Sequence, residues 1–259
     1  MNAAEIDDQG LDTLVTFNPI AVRGDESLDE LAERVRCSGY HHWPVVDDQR
    51  RLIGMVSDSD VVRHFAARQA AQELLASDSR GQMNEVIAED IMSMRVIHID
   101  MEASKVKTLE RMLEHDIHSL PVVDSQRLVG ITTTTDFLRE LSEGGLPGHS
   151  EPVSRRMTKT LDFVESNASL DSARMELMAA GMSYLPVTMG ECPLGVISQR
   201  MLRAAKCRQM LEESLNTAEQ PTEPTIAVLV KSAPTVKPGE RLAKAASLMV
   251  EYSVQAVAV

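Results

Sequence analysis

The chain has 259 residues, 43% of them hydrophobic and 25% charged, with a formal net charge of −13; this is enough length and apolar content for two domains with buried cores. The acidic balance argues against a general nucleic-acid binder, whose sequence-independent affinity comes from neutralising phosphates, and the lack of an apolar run near ~18 residues, with a polar, acidic Met1 to Gly10, predicts a cytoplasmic protein with no membrane span. Cys37, Cys192 and Cys207 are odd in number and widely spaced, which argues against a disulfide framework or a zinc site.

In chain order, the segment Val15-Thr16-Phe17-Asn18-Pro19 leads into a helix with Leu28, Leu31 and Val35 at three-to-four spacing, for which Ser27 is the expected N-cap. A strand, Trp43-Pro44-Val45-Val46-Asp47, follows, with Trp43 expected to pack inside. The run Gly54-Met55-Val56-Ser57-Asp58-Ser59-Asp60 then opens a helix carrying Val61, Val62 and Phe65. Residues 71–85 read as helix plus loop. The pattern restarts at Met92-Ser93-Met94-Arg95-Val96, with Ser104 as N-cap, the strand Leu120-Pro121-Val122-Val123-Asp124, and Gly130-Ile131-Thr132-Thr133-Thr134-Thr135-Asp136 before Phe137, Leu138 and Leu141.

A Gly/Pro/Ser-rich stretch, residues 142–150, marks a linker. The third copy runs from Met157-Thr158-Lys159-Thr160-Leu161 through Ser169, Leu170, Ala173 and Leu177 to Leu185-Pro186-Val187 and Gly195-Val196-Ile197-Ser198-Gln199-Arg200-Met201. A polar connection is expected over residues 212–223. The fourth begins at Val230-Lys231-Ser232-Ala233-Pro234 and reaches only Gln255-Ala256-Val257-Ala258-Val259, within its second strand, so it is expected to leave apolar surface or a strand edge uncovered.

The first two copies are offset by 77 residues at their prolines and 76 at their glycines. Self-similarity of this kind decides the fold before any local reading. Four repeats result, at about 11–69, 86–141, 153–206 and 225–259, each a beta-alpha-beta-beta-alpha unit, and the fold class is α+β.

The chemistry is concentrated where the second helix of each repeat starts. Ser57 with Asp60, and Thr133 with Asp136, have the spacing of a cap in which hydroxyl and carboxylate satisfy free backbone donors and complement the helix dipole. The same groups suit a ligand: an ionised carboxylate accepts both hydroxyls of a ribose, and a hydroxyl with free N–H groups suits a phosphate. In repeat 3 the carboxylate position is Met201, which cannot hold a diol. His41 and His42 are neighbours in an extended segment and point to opposite faces, which disfavours a shared metal ion. Fifteen methionines against eight aromatics indicate adaptable cores.

Together the leading segments, the hydrophobic-Pro-Val-Val-Asp strands and the Gly-hydrophobic-x-Ser/Thr-x-x-Asp runs resemble the cystathionine-beta-synthase (CBS) domain family over nearly the whole chain. The resemblance implies tandem CBS repeats paired into two pseudo-twofold (Bateman-type) modules, residues 1–147 and 148–259, with AMP, ADP, ATP or S-adenosylmethionine as regulatory ligand and no required cofactor. It also implies that the Asp of one repeat faces its partner's leading segment and second strand. One site would then join Thr133, Thr135 and Asp136 to Asn18, Pro19, Ile20, Tyr40, His41 and His42. The other would join Ser57, Ser59 and Asp60 to Arg95, Val96, Ile97, Ile117, His118 and Ser119, with Arg95 as a phosphate partner. The implied function is a non-catalytic adenine-nucleotide sensor that assembles as a homodimer and signals to a protein effector. The alternatives are a ligand-free scaffold, in which each Ser/Thr-x-x-Asp is only a cap, and the regulatory fragment of a larger enzyme or transporter; no nucleophile elbow, P-loop or metal-ligand cluster supports catalysis.

Overall fold

The computed structural model describes residues 10–38, 40–75, 85–159, 162–214, 225–254 and 256–259. Thr160, Leu161 and Gln255 of the repeat pattern, and most of the two connections expected between repeats 1 and 2 and between repeats 3 and 4, lie outside the described residues.

Repeat 1 supplies β1 (Thr16–Phe17), β2 (Val22–Arg23), α1 (Leu28–Cys37), β3 (His42–Val46), β4 (Leu52–Ser57) and α2 (Asp58–Leu75). Repeat 2 supplies α3 (Ala88–Ile91), β5 (Ile99–Asp100), α4 (Lys105–Glu114), β6 (Ser119–Asp124), β7 (Arg127–Thr133) and α5 (Thr134–Glu143). Repeat 3 contributes β8 (Val164–Glu165), α6 (Leu170–Ala180), β9 (Tyr184–Met189), β10 (Cys192–Ser198) and α7 (Gln199–Ser214), and repeat 4 contributes α8 (Leu242–Glu251). Because α7 continues to Ser214, the polar connection expected from residue 212 starts later; Leu211, Glu212 and Glu213 are good helix formers and extend the helix.

In repeats 1 to 3 a short strand lies parallel to the next one, which pairs antiparallel with the third. A parallel pair needs a crossover, and α1, α4 and α6 provide it. Each is capped as its sequence predicts: the hydroxyls of Ser27, Ser104 and Ser169 accept the N–H groups of Glu30, Lys107 and Ser172 at 3.3, 3.3 and 3.2 Å. Repeat 4 forms the first parallel contact, with Val236 N–H donating to the Ala258 carbonyl at 2.9 Å.

The repeats are joined by exchange of their leading segments. Leu11 and Leu14 are buried in the core of repeat 2, while Ala88 and Ile91 are buried in that of repeat 1. Ile226 sits in the core of repeat 3, and Val153 packs with Val236, Ala245 and Leu248 of repeat 4. The same exchange is visible in the backbone: Gly10, Ile87, Pro152 and Thr225 bridge to the partner's N-cap residues Ser104, Ser27, Arg241 and Ser169.

The repeated glycine marks the next crossing. A Cβ on Gly54 would meet Met92 Sδ at 2.2 Å, on Gly130 it would meet Val15 Cγ1 at 2.1 Å, and on Gly195 the Lys231 carbonyl oxygen at 2.1 Å. The glycine is required because the partner's leading segment passes directly over the third strand.

Helix contacts connect the pairs, chiefly α2 with α7 and α5 with α8, and also α1 with α7. Cys207 of α7 is 7% exposed and belongs to the same cluster as Val61, Val62, Phe65 and Trp43, which is itself buried as its sequence context predicts.

Candidate functional site

Both Ser/Thr-x-x-Asp runs form caps. Asp60 Oδ2 accepts the Ser57 N–H at 3.0 Å and the Ser57 hydroxyl at 2.6 Å. Asp136 Oδ2 accepts the Thr133 N–H at 2.9 Å and hydroxyl at 2.7 Å. The remaining oxygen of each carboxylate is held from one turn on, by Arg63 at 2.8 Å and Arg139 at 3.0 Å. These arginines are 68% and 52% exposed, against 23% and 14% for the carboxylates. An exposed ion pair of this kind contributes little, so Oδ1 is the oxygen a ligand hydroxyl could take over.

A cavity of about 530 Å³ lies where the four repeats meet. Tyr40, His41 and Asp58 of repeat 1 line it, facing Thr135 and Leu138 of repeat 2. Ser198, Arg200 and Arg208 come from repeat 3, and Lys231 from the leading segment of repeat 4. Of the first expected grouping, Tyr40, His41 and Thr135 thus share one cavity. Asn18 adopts the left-handed conformation (φ 51°), which asparagine tolerates, and its N–H donates to the Val129 carbonyl at 3.1 Å, so the segment runs antiparallel along β7 and leads away from Thr133. Pro19 is half-buried there, Ile20 is 54% exposed, and His42 lies opposite Ser57 in the β3–β4 register.

In the second grouping Ser93 pairs with Met55, which sets the leading segment of repeat 2 beside the strand that ends at Ser57. Arg95 is exposed and Val96 half-buried. Ile97 and Ile117, expected at the ligand, pack against the core of repeat 2. The His118 carbonyl accepts the Thr134 N–H at 2.9 Å and Ser119 lies opposite Thr133, so both border the helix start of their own repeat. Ser59 Oγ lies 3.3 Å from Asp58 Oδ1 and 3.8 Å from Cys207 Sγ, at the α2–α7 contact.

Sequence reasoning passed over Asp58, Arg200, Arg208 and Lys231. Asp58 is 6% exposed, and its Oδ2 lies 2.9 Å from His41 Nδ1. Desolvation pushes its pKa up, but the hydrogen bond and charge of His41, the Ser59 N–H and the charge of His42 outweigh it and hold the carboxyl below its ordinary value. A signal was present: Asp58 follows Ser57 directly, at the first helical position, where a carboxylate complements the dipole. Among the described residues no three His, Cys, Asp or Glu side chains gather as metal ligands, and no helix is long and apolar enough to cross a membrane.

The CBS-domain family profile matches residues 11–67 and 88–143, which are repeats 1 and 2. Hypoxic response protein 1 of Mycobacterium tuberculosis is 30% identical over 118 residues, 46% of this chain and 75% of that protein. Two uncharacterized Methanocaldococcus jannaschii proteins also match: MJ1404, 25% identical over 133 residues (50% of this chain), and MJ1225, 30% identical over 131 residues (50% of this chain). The chain spans 31% and 46% of their respective lengths.

The crystal structure of MJ1225, described as a proposed archaeal homologue of g-AMPK, has a TM-score of 0.65 at 19% identity, covering 96% of this chain and 92% of that one. A conserved Pyrococcus horikoshii protein gives a TM-score of 0.54 at 18% identity, covering 95% and 89%. The chain belongs to the CBS-domain family. Its class is that of proteins with an α+β fold built of tandem CBS repeats.

Proposed function

We propose that this chain is a cytoplasmic regulatory protein whose first pair of repeats, within residues 1–147, binds an adenosine nucleotide or related adenosyl ligand, and whose second pair, within 148–259, relays the bound state to a homodimer contact or a protein effector. One observation carries the reading: Asp60 and Asp136 each keep one oxygen in a cap and offer the other to an exposed arginine, so a ribose can displace that arginine without uncapping the helix. In the CBS family, which the repeat pattern resembles, this aspartate typically holds the ribose. The exposed Tyr40 supplies apolar surface for a purine beside Thr135. A ligand acts here by differing in affinity between two arrangements of the pairs.

The test is thermal unfolding with AMP, ADP, ATP and S-adenosylmethionine at millimolar concentration. A ligand at one hundred times its Kd stabilises by about 2.7 kcal/mol; no stabilisation by any of the four would defeat the reading. The scaffold alternative draws on the same caps, since both carboxylates are already satisfied. It predicts that Asp60→Asn and Asp136→Asn cost stability alone and leave any nucleotide response intact.

A further inference from the structure

We propose that the contact between the two pairs of repeats is a proton-sensitive latch: His41 and His42, set against the cationic face of α7, loosen the α2–α7 contact when they become charged. The first turn of α2 meets α7 directly, with Ser59 Oγ 3.8 Å from Cys207 Sγ, and Cys207 shares a core with Trp43, Val61 and Phe65. Both histidines are fixed at that end of α2. The Asp58 N–H donates to the His41 carbonyl at 3.1 Å, and His42 lies opposite Ser57, the residue before α2, in the β3–β4 register. The α7 side carries charge of one sign: residues 199–210 hold Arg200, Arg203, Lys206 and Arg208 and no acid. Lys206 is paired with Asp171 at 3.1 Å, while the three arginines have no ion pair among the described residues.

Lys231, from the leading segment of repeat 4, adds a cation whose Nζ donates to the neutral Ser253 carbonyl at 3.3 Å. Arg200, Arg208 and Lys231 line the central cavity with His41, and Asp58 is the one acid in its wall. The phenols of Tyr40 and Tyr184 and the Cys207 thiol complete the titratable groups there; burial pushes Tyr184 and Cys207 up, so neither ionises in the histidine range. A proton on His41 turns its 2.9 Å contact with Asp58 Oδ2 into an ion pair and so withdraws the single acid from the α7 cations. A proton on His42 adds a positive charge within reach of Arg203 and Arg200. Desolvation is the largest influence on His42; together with the charges of Arg203, His41 and Arg200 it outweighs Asp58 and holds the imidazole below its ordinary 6.5. A histidine whose pKa is depressed in the closed arrangement and ordinary when α7 moves off takes up its proton more readily in the open one. The contact is therefore complete above the ordinary value and weakens as the pH falls below it, until the lower closed-state value is passed. The latch operates on the free chain and does not rest on nucleotide binding.

The experiment is acrylamide quenching of Trp43, the chain's one tryptophan, at constant ionic strength between about pH 8 and about pH 5.5. This range lies above that in which Asp58, held below its ordinary 3.8, takes up a proton. The full chain is compared with His41→Gln, His42→Gln and Arg203→Gln variants, and far-UV circular dichroism checks that each is folded. The expected result is a reversible rise of about twofold or more in the quenching constant on acidification, with unchanged circular dichroism and a midpoint below 6.5. Most of the rise is lost in His42→Gln and part of it in His41→Gln. In Arg203→Gln, which removes an exposed cation, the midpoint moves up toward 6.5, a shift that a purely structural histidine would not show. A quenching constant that stays flat over the range, or a rise of the same size and midpoint in all three variants, overturns the proposal. Should His42→Gln fail to fold, the Arg203→Gln midpoint decides alone: an upward shift supports the latch and an unmoved midpoint overturns it.

Discussion

Asp58 and Asp60 are two positions apart on one helix start and have different roles. Asp60 is a cap with an accessible oxygen; Asp58 is 6% exposed and tied to His41 across the mouth of α2. Because the folded pKa of Asp58 is depressed, its contribution is complete above the ordinary carboxylate value of 3.8 and is lost as the pH falls through the lower folded value. Asp58→Asn is therefore expected to lower stability at neutral pH and to flatten the acid limb of a stability-pH curve below about pH 4; an acid limb identical to that of the unaltered protein would contradict the assignment. At Asp60 and Asp136 the cap energy is the smaller quantity. Each change to Asn should cost about 1 kcal/mol in chemical denaturation, far less than the loss expected in nucleotide binding. Lys105 and Glu140 form a third, less forgiving contact, 2.6 Å apart and only 4% and 17% exposed. Glu140→Gln strands a buried ammonium and should cost about 3–5 kcal/mol, whereas replacing both with apolar residues of similar size should recover most of the loss.

At the scale of elements, the strand–helix–strand–strand–helix unit and its serine caps were legible because they depend on local periodicity and spacing: Ser27, Ser104 and Ser169 all cap the helices predicted for them. The exchange of leading segments was not legible. Leu11 and Leu14 look the same in sequence whether they serve their own repeat or its neighbour, and only the packing assigns them to repeat 2. The repeated glycine was read as a marker of the pattern, and the structure supplies its physical cause, a backbone crossing. That cause ranks three substitutions. Gly54→Ala meets the flexible end of Met92 and Gly130→Ala meets Val15, so each should cost about 1–3 kcal/mol in denaturant unfolding. Gly195→Ala meets the Lys231 backbone and should be the most damaging of the three. The candidate site was only partly legible for a related reason: Tyr40, His41 and Thr135 came from motif spacing, whereas Arg200, Arg208 and Lys231 reach the cavity through the docking of one pair on the other.

Across the whole molecule, α2 and α5 each turn one side toward their own repeat and another toward α7 and α8. Cys207 inserts into the core that contains Trp43, the chain's one tryptophan, which makes Trp43 fluorescence a reporter of that contact. The helix contacts and the central cavity lie between the pairs, and on the proposed function they are the route by which a ligand at the first pair would bias the arrangement. The central claim is that Asp60 and Asp136 bind a ribose as well as capping helices. Isothermal titration of AMP into the full chain and into the Asp60→Asn/Asp136→Asn variant tests it most directly. The account predicts saturable binding in the former and at least a hundredfold weaker binding in a variant that remains folded; equal affinity in both proteins would contradict it.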